Sequence, residues 1–292
     1  MKIFAIISTL IFISALIGFY FLEKSKHGTG GKAKPHTIWC LLAFGFIVRV
    51  VLAMSIEGFS SDVGLFRYWS ERAAEDLFHI YQGDFFIDYP PFYIYILFII
   101  GKISGFLGLG DGPLNLLLLK LPSILADLGT AFMLYYLAKD RLPGKWPLLA
   151  ASLYIFNPAV LINSSVWGQV DSFLVLLLAL GFIMLDSKKP EFAGLPFAAA
   201  VLTKPQGLIL LPVVLFELLK RGNWKALIKT AVYGILTVIL LILPFAVNQE
   251  PSWIFKLYVN TAEGYKYASL NAFNFFSLIG ANLNPDSEKL LF

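Results

Sequence analysis

Charge is what this sequence has least of. Only 14% of its 292 residues are Asp, Glu, Lys or Arg, against 58% apolar, and the mean hydropathy is +0.74. Soluble domains carry roughly 25% charged residues, so an ordinary soluble chain is excluded. Cysteine is almost missing: Cys40 stands alone in an apolar run, and no internal disulfide can form. The three histidines, His27, His36 and His79, make no metal-ligand cluster. There is no P-loop, no Rossmann glycine pattern and no H-E-x-x-H, which removes the usual signs of nucleotide binding and zinc hydrolysis. Internal repeats and low-complexity stretches are also lacking. The net charge of +4 says little about nucleic acid, because the basic residues lie in short loops between apolar runs. No nucleic-acid partner is expected.

What remains is long apolar sequence. The runs are uninterrupted rather than alternating, which argues against a β-barrel. The expected fold is all-α: a polytopic transmembrane helical bundle, with residues 1–292 forming one membrane domain. Residues 4–22, 38–54, 117–138 and 226–246 each approach the roughly 20 residues a span needs. Residues 4–22 are long for a signal peptide and lack an A-x-A-like cleavage site, so a first transmembrane helix is expected there. Three more regions are apolar but broken. Trp167 to Ser172 splits 147–185, and Lys204-Pro205-Gln206 splits 192–219. Residues 92–109 follow Pro90-Pro91 and contain Gly101 and Lys102.

Basic residues set the sidedness. Loop 23–37 holds Lys24, Lys26, Lys32 and Lys34; loop 139–146 holds Lys139, Arg141 and Lys145. Lys188 and Lys189 lie in loop 186–191, and Lys220, Arg221, Lys225 and Lys229 in loop 220–229. These loops belong in the cytoplasm. The broken regions then leave the cytoplasm and return, placing Asp171 and Lys204 on the outer side with the polar loop 55–91. Parity requires 92–109 to lie in or near the outer interface. The protein is expected to be multi-pass, in the plasma membrane of a prokaryote or the endoplasmic reticulum of a eukaryote. The chain stops at Leu290-Leu291-Phe292, shortly after the polar loop 247–269, and is expected to be a fragment of a longer membrane protein.

Polar residues in so apolar a chain are the candidates for chemistry. Asp62, in the outer loop, is either a general base or the N-cap of the helical stretch that follows. Asp88 heads Asp88-Tyr89-Pro90-Pro91 and is either a substrate contact, with Tyr89, or a turn former. Asp171 lies between two apolar segments, where an acid is costly unless paired or wet; Trp167 and Gln169 stand beside it. Trp167 is either a stacking surface for a sugar or prenyl chain, or an interfacial marker. Lys204 can hold a phosphate as a point charge or snorkel to the headgroups. Gln206 follows it, and Arg49, near the outer end of the second span, is open to the same two readings. Phe92, Tyr93 and Tyr95 read as an interfacial belt.

Taken in order, these elements resemble a membrane glycosyltransferase of the class C fold. They are Asp62, Asp88-Tyr89-Pro90-Pro91, Leu121-Pro122-Ser123-Ile124-Leu125-Ala126-Asp127, Asn157-Pro158, Trp167-Gly168-Gln169-Val170-Asp171-Ser172, Lys204-Pro205-Gln206 and Ser269-Leu270-Asn271-Ala272-Phe273-Asn274. The chain is similar to polyprenyl-phosphate-sugar-dependent glucosyltransferases of N-glycan assembly and to prokaryotic relatives of the second mannosyltransferase of GPI-anchor assembly. The resemblance covers roughly residues 40–280. It implies inverting transfer of mannose or glucose from a polyprenyl-phosphate sugar to a glycan, lipid or protein acceptor. Asp62 would be the catalytic base, and neither a cofactor nor a metal is implied. Asp62 is followed by Val63-Gly64 where some relatives carry a paired acid, which weakens any metal role. A lipid or solute transporter is the rival reading, because it also explains broken helices and intramembrane polar residues. A non-catalytic membrane scaffold is a third.

Overall fold

The computed structural model describes residues 9, 12, 13, 36–83, 85–247, 249–270 and 274–287. The expected first span, 4–22, lies outside the described residues apart from three positions. Among the described residues the secondary structure is helical, with no strand beyond an isolated bridge between Tyr267 and Pro285.

Three helices are long and apolar enough to cross a membrane: α1 (His36–Ser55), α4 (Pro113–Ala138) and α10 (Trp224–Ile242), which runs on as a 3₁₀ turn to Phe245. They coincide with the spans expected at 38–54, 117–138 and 226–246. All three are strongly apolar outward, and small and polar residues mark the inward face. In α1, Ile38, Leu42, Gly45, Arg49 and Ala53 are buried at helical spacing, while Trp39, Phe44, Ile47 and Val51 stay more than half exposed. In α4 the inward face carries Asn115, Lys120, Ser123, Asp127 and Thr130.

The loop 55–91 contains a helix of its own, α2 (Ser60–Glu75), whose Val63, Phe66, Trp69 and Ala73 are buried at helical spacing. It packs on α3 (Pro91–Phe106), where Pro91 opens the helix at a position that needs no N–H. The crossing is close: a Cβ on Gly101 would lie 2.0 Å from the Ser70 carbonyl oxygen. At about 1.5 Å per residue α3 is roughly 24 Å long, short of the roughly 30 Å hydrocarbon core. Tyr93, expected in an interfacial belt, is instead core: it is 1% exposed and its ring meets Phe66 at 6.0 Å.

The expected interruptions are present. Residues 147–185 become α5 (Trp146–Ile155), α6 (Pro158–Leu161) with a π-helical turn (Ile162–Trp167), and α7 (Asp171–Leu185). A bend of 43° separates α5 from the segment Pro158–Trp167. Asn157 caps α6 by accepting from the Ala159 N–H, and Pro158 fills the first helical position. Residues 192–219 become α8 (Gly194–Val201), a 3₁₀ segment (Pro205–Leu210) and α9 (Leu211–Lys220). Two short helices, α11 (Trp253–Gly264) and α12 (Phe275–Leu278), follow α10.

Candidate active site

The breaks converge. The start of α2, the loop before α3, the π turn and the break after α8 surround a cavity of about 600 Å³, closed on one side by α11. Seven of the residues singled out in the sequence line it: Asp62, Asp88, Tyr89, Trp167, Gln169, Lys204 and Gln206. Broken backbone in a membrane protein is tolerated where it lines a cavity, and here it does.

Asp62 is not an N-cap. Phe59 holds that position, and Asp62 sits in the first turn of α2, where the helix dipole favours a carboxylate. Its side chain turns across to the π segment. Trp167 Nε1 donates to Oδ2 at 2.8 Å, and Gln169 Nε2 donates to the same oxygen. Both donors therefore fall on Oδ2. Two glycines make this meeting feasible. Gly58, at φ +97°, brings its backbone against the Val166 and Trp167 carbonyls, each 2.5 Å from where a Cβ would stand. Gly168, at φ +91°, turns the chain between Trp167 and Gln169.

Lys204 occupies the extended residue between α8 and the 3₁₀ segment, a break consistent with Pro205, which disfavours helix in the residue before it. Its ammonium donates to Asp171 Oδ1 at 2.7 Å and to Gln169 Oε1 at 3.4 Å, and lies 5.9 Å from the centre of the Tyr89 ring. Asp171 is behind the lysine rather than among the lining residues, and Asn163 Nδ2 holds its other oxygen at 2.9 Å. Gln169 thus touches both the acid Asp62 and the cation Lys204.

Asp88 faces the cavity from the loop before α3. Tyr265 donates to its Oδ2 at 2.5 Å, while Oδ1 is buried without a hydrogen-bond partner among the described residues. Burial raises the Asp88 carboxyl above its ordinary range, and the Tyr265 bond opposes this. Burial likewise pushes the Tyr265 hydroxyl up, with Asp88 adding to the shift. Tyr265 was not singled out in the sequence; 177 positions separate it from Asp88, and the loop 247–269 offered only polarity as a signal. Tyr258 and Thr261 of α11 complete that wall, with Tyr258 donating to the Val201 carbonyl at 2.6 Å.

Arg49 lies apart from the cavity. It is fully buried, donating from Nε to Asp127 Oδ2 at 3.0 Å and from Nη2 to the Ile155 carbonyl at 2.6 Å. Ser164 donates to the same Asp127 oxygen at 2.6 Å, so the network ties α1, α4 and α5 to the π turn. Its place is structural, and Lys204 is left as the cation facing the cavity. Among the described residues no group of three His, Cys, Asp or Glu is placed to hold a metal ion. Of the final resemblance element, residues 271–273 lie outside the described residues, and Leu270 lines the cavity.

Residues 86–278 match the model of a family described as Glycosyltransferase family 87. The matched stretch holds Asp88, Gln169, Lys204 and Tyr265; Asp62 precedes it. A dolichol phosphate-mannose mannosyltransferase of Haloferax volcanii is 27% identical over 191 residues, which cover 64% of this chain and 40% of that protein. The chain therefore spans less than half the length of that curated relative. No solved structure matches it.

Proposed function

The chain belongs to glycosyltransferase family 87, and from that membership we propose that it transfers a hexose, mannose or glucose, from a polyprenyl-phosphate-linked donor to an acceptor hydroxyl at the outer or lumenal face. The observation that carries this reading is that the acid Asp62 and the cation Lys204 face one cavity through a shared side chain. Asp62 and Lys204 are joined through Gln169, and the cavity is within the usual range of about 300–1,000 Å³ for small-molecule sites.

The step follows from the chemistry of those two groups. Asp62 takes the proton from the acceptor hydroxyl as that oxygen bonds to C1 of the hexose. The bond between C1 and the phosphate oxygen breaks, and the electron pair leaves with the polyprenyl phosphate. Attack opposite the leaving group inverts C1. Lys204 offsets the charge gathering on the phosphate. Trp167, with Phe59 beside it, offers a stacking face, and Asp88, Tyr89 and Gln206 supply hydrogen-bonding groups for sugar hydroxyls, while Gln169 holds Asp62 and shapes the cavity. Asp171 holds Lys204 in place. The phosphate leaving group is already activated, so no cofactor enters. The acceptor, whether glycan, lipid or protein, presents its hydroxyl to C1 on the side away from the phosphate.

Asp62→Asn keeps the shape and an acceptor oxygen but cannot take the proton. Membranes holding the natural protein, given radiolabelled polyprenyl-phosphate hexoses, should pass label to an acceptor, and the variant should lose that transfer by about 100-fold or more. Undiminished transfer by a normally expressed variant removes Asp62 from the mechanism.

A further inference from the structure

Lys120 has no part in the reading above, yet it is a buried cation without a hydrogen-bonded acid among the described residues. It lies on α4 and is 1% exposed. Its ammonium donates to the carbonyls of Ile56 at 2.6 Å, Val166 at 3.2 Å and Ala53 at 3.4 Å. All three partners are backbone oxygens. The ammonium's hydrogen bonds among the described residues all go to carbonyls, with the Glu57 carboxylate acting on it only through space; burying an ammonium without a hydrogen-bonded acid is costly, so the arrangement calls for a reason.

The three carbonyls belong to two segments. Ala53 and Ile56 form the exit of α1, which leads through Gly58 to Asp62. Val166 lies in the π turn, immediately before Trp167, which ends it, and Gly168 and Gln169. Three residues further along α4, Ser123 donates to the Gln169 carbonyl at 2.7 Å. Gly168 lies on the lysine stem: a Cβ there would stand 3.3 Å from Lys120 Cε. Gly58 presses against the Val166 and Trp167 carbonyls from the other side. The two segments abut backbone to backbone, and the lysine joins them. One segment carries Asp62; the other carries both of its hydrogen-bond donors.

We propose that Lys120 is a positioning residue for transfer: it cross-links the Asp62 segment to the Trp167–Gln169 turn and so holds the base against its donors without touching substrate. This rests on Asp62 being the base.

Lys120→Met in the natural protein keeps the stem and removes the ammonium. Two readouts separate this inference from the functional reading. The first is hydrogen exchange, which needs no activity. The Ile56 N–H bonds to the Leu52 carbonyl and the Gln169 N–H to the Asn163 carbonyl. Peptides covering 53–62 and 163–170 should both exchange about tenfold faster in the variant, while 86–91 does not change. The second is kinetic. The turnover number should fall about 100-fold, the loss for misplacing a catalytic group by roughly 1 Å. The donor KM should stay within about threefold, because Lys204 is untouched. Lys120→Met with Trp167→Phe should lose no more than the worse single variant, because both act through one contact. Unchanged exchange in either segment, or additive kinetic losses, overturns the inference. If the methionine variant does not fold, Lys120→Gln, a shorter neutral donor, is held to the same criteria. A natural protein that transfers no label from any donor overturns the functional reading, and the exchange result still decides the cross-link.

Discussion

Gln169→Leu removes the side chain that lies between the acid and the cation. The side chain donates to Asp62 and accepts from Lys204 at 3.4 Å. The second contact is beyond the usual hydrogen-bond range and contributes little. The first is a bond to a charged group, worth roughly 1.5–3 kcal/mol when made. At about 1.36 kcal/mol per tenfold in rate, its loss predicts a drop of roughly 10- to 150-fold. Trp167 still donates to Asp62 at 2.8 Å, so the carboxylate keeps one of its two donors and activity should not vanish. Lys204 keeps Asp171 at 2.7 Å, so the donor phosphate should bind almost as before. The decline should therefore lie in kcat, with the donor KM changed by no more than about threefold. The assay is transfer of label from a polyprenyl-phosphate hexose in proteoliposomes, with donor concentration varied. A loss under about threefold, or one confined to the donor KM, refutes the assignment of Gln169 to the acid.

Arg49→Met leaves Asp127 buried without its cation and should cost about 3–5 kcal/mol of stability, read from denaturation in detergent; Arg49→Met with Asp127→Leu should recover most of it. Recovery that fails would mean the pair does more than hold α1 to α4. Asp88→Asn should give a pH-dependent gain in melting temperature, because Asp88 binds its proton more tightly in the folded chain than in the unfolded one. The contribution from that protonated carboxyl is complete below the ordinary carboxylate range and is lost as pH rises through the raised value. The wild type should therefore fall behind the variant towards neutral pH and draw level in acid; a gap constant with pH refutes the burial argument.

How much of this could be read from the chain depends on range along it. The spans at 38–54, 117–138 and 226–246 were legible because each is a long apolar run. The lining residues Asp62, Gln169 and Lys204 were legible because each interrupts or borders such a run, where a polar group is costly without a use. Arg49 gave the same signal and is used differently: a buried cation takes whichever acid the fold supplies, and Asp127 stands 78 positions away. Tyr265 gave almost no signal, because an aromatic in a polar loop is ordinary and its contact with Asp88 exists only once α11 has folded over the cavity. Lys120 did give one, a cation within an apolar helix, and its use is visible only with the two segments it joins.

Among the described residues both donors on Asp62 converge on Oδ2, and on the proposed reading Oδ1 takes the incoming hydroxyl. The two oxygens of a free carboxylate are equivalent; these are not. A nucleophile must present its proton along the open edge of Oδ1 while its lone pair faces C1 of the donor, and a rigid sugar can satisfy both demands with few of its hydroxyls. On the proposed reading, regiochemistry follows from that asymmetry: the linkage formed is chosen by the direction in which one oxygen of Asp62 remains unoccupied, rather than by any difference in reactivity among the acceptor's hydroxyl groups.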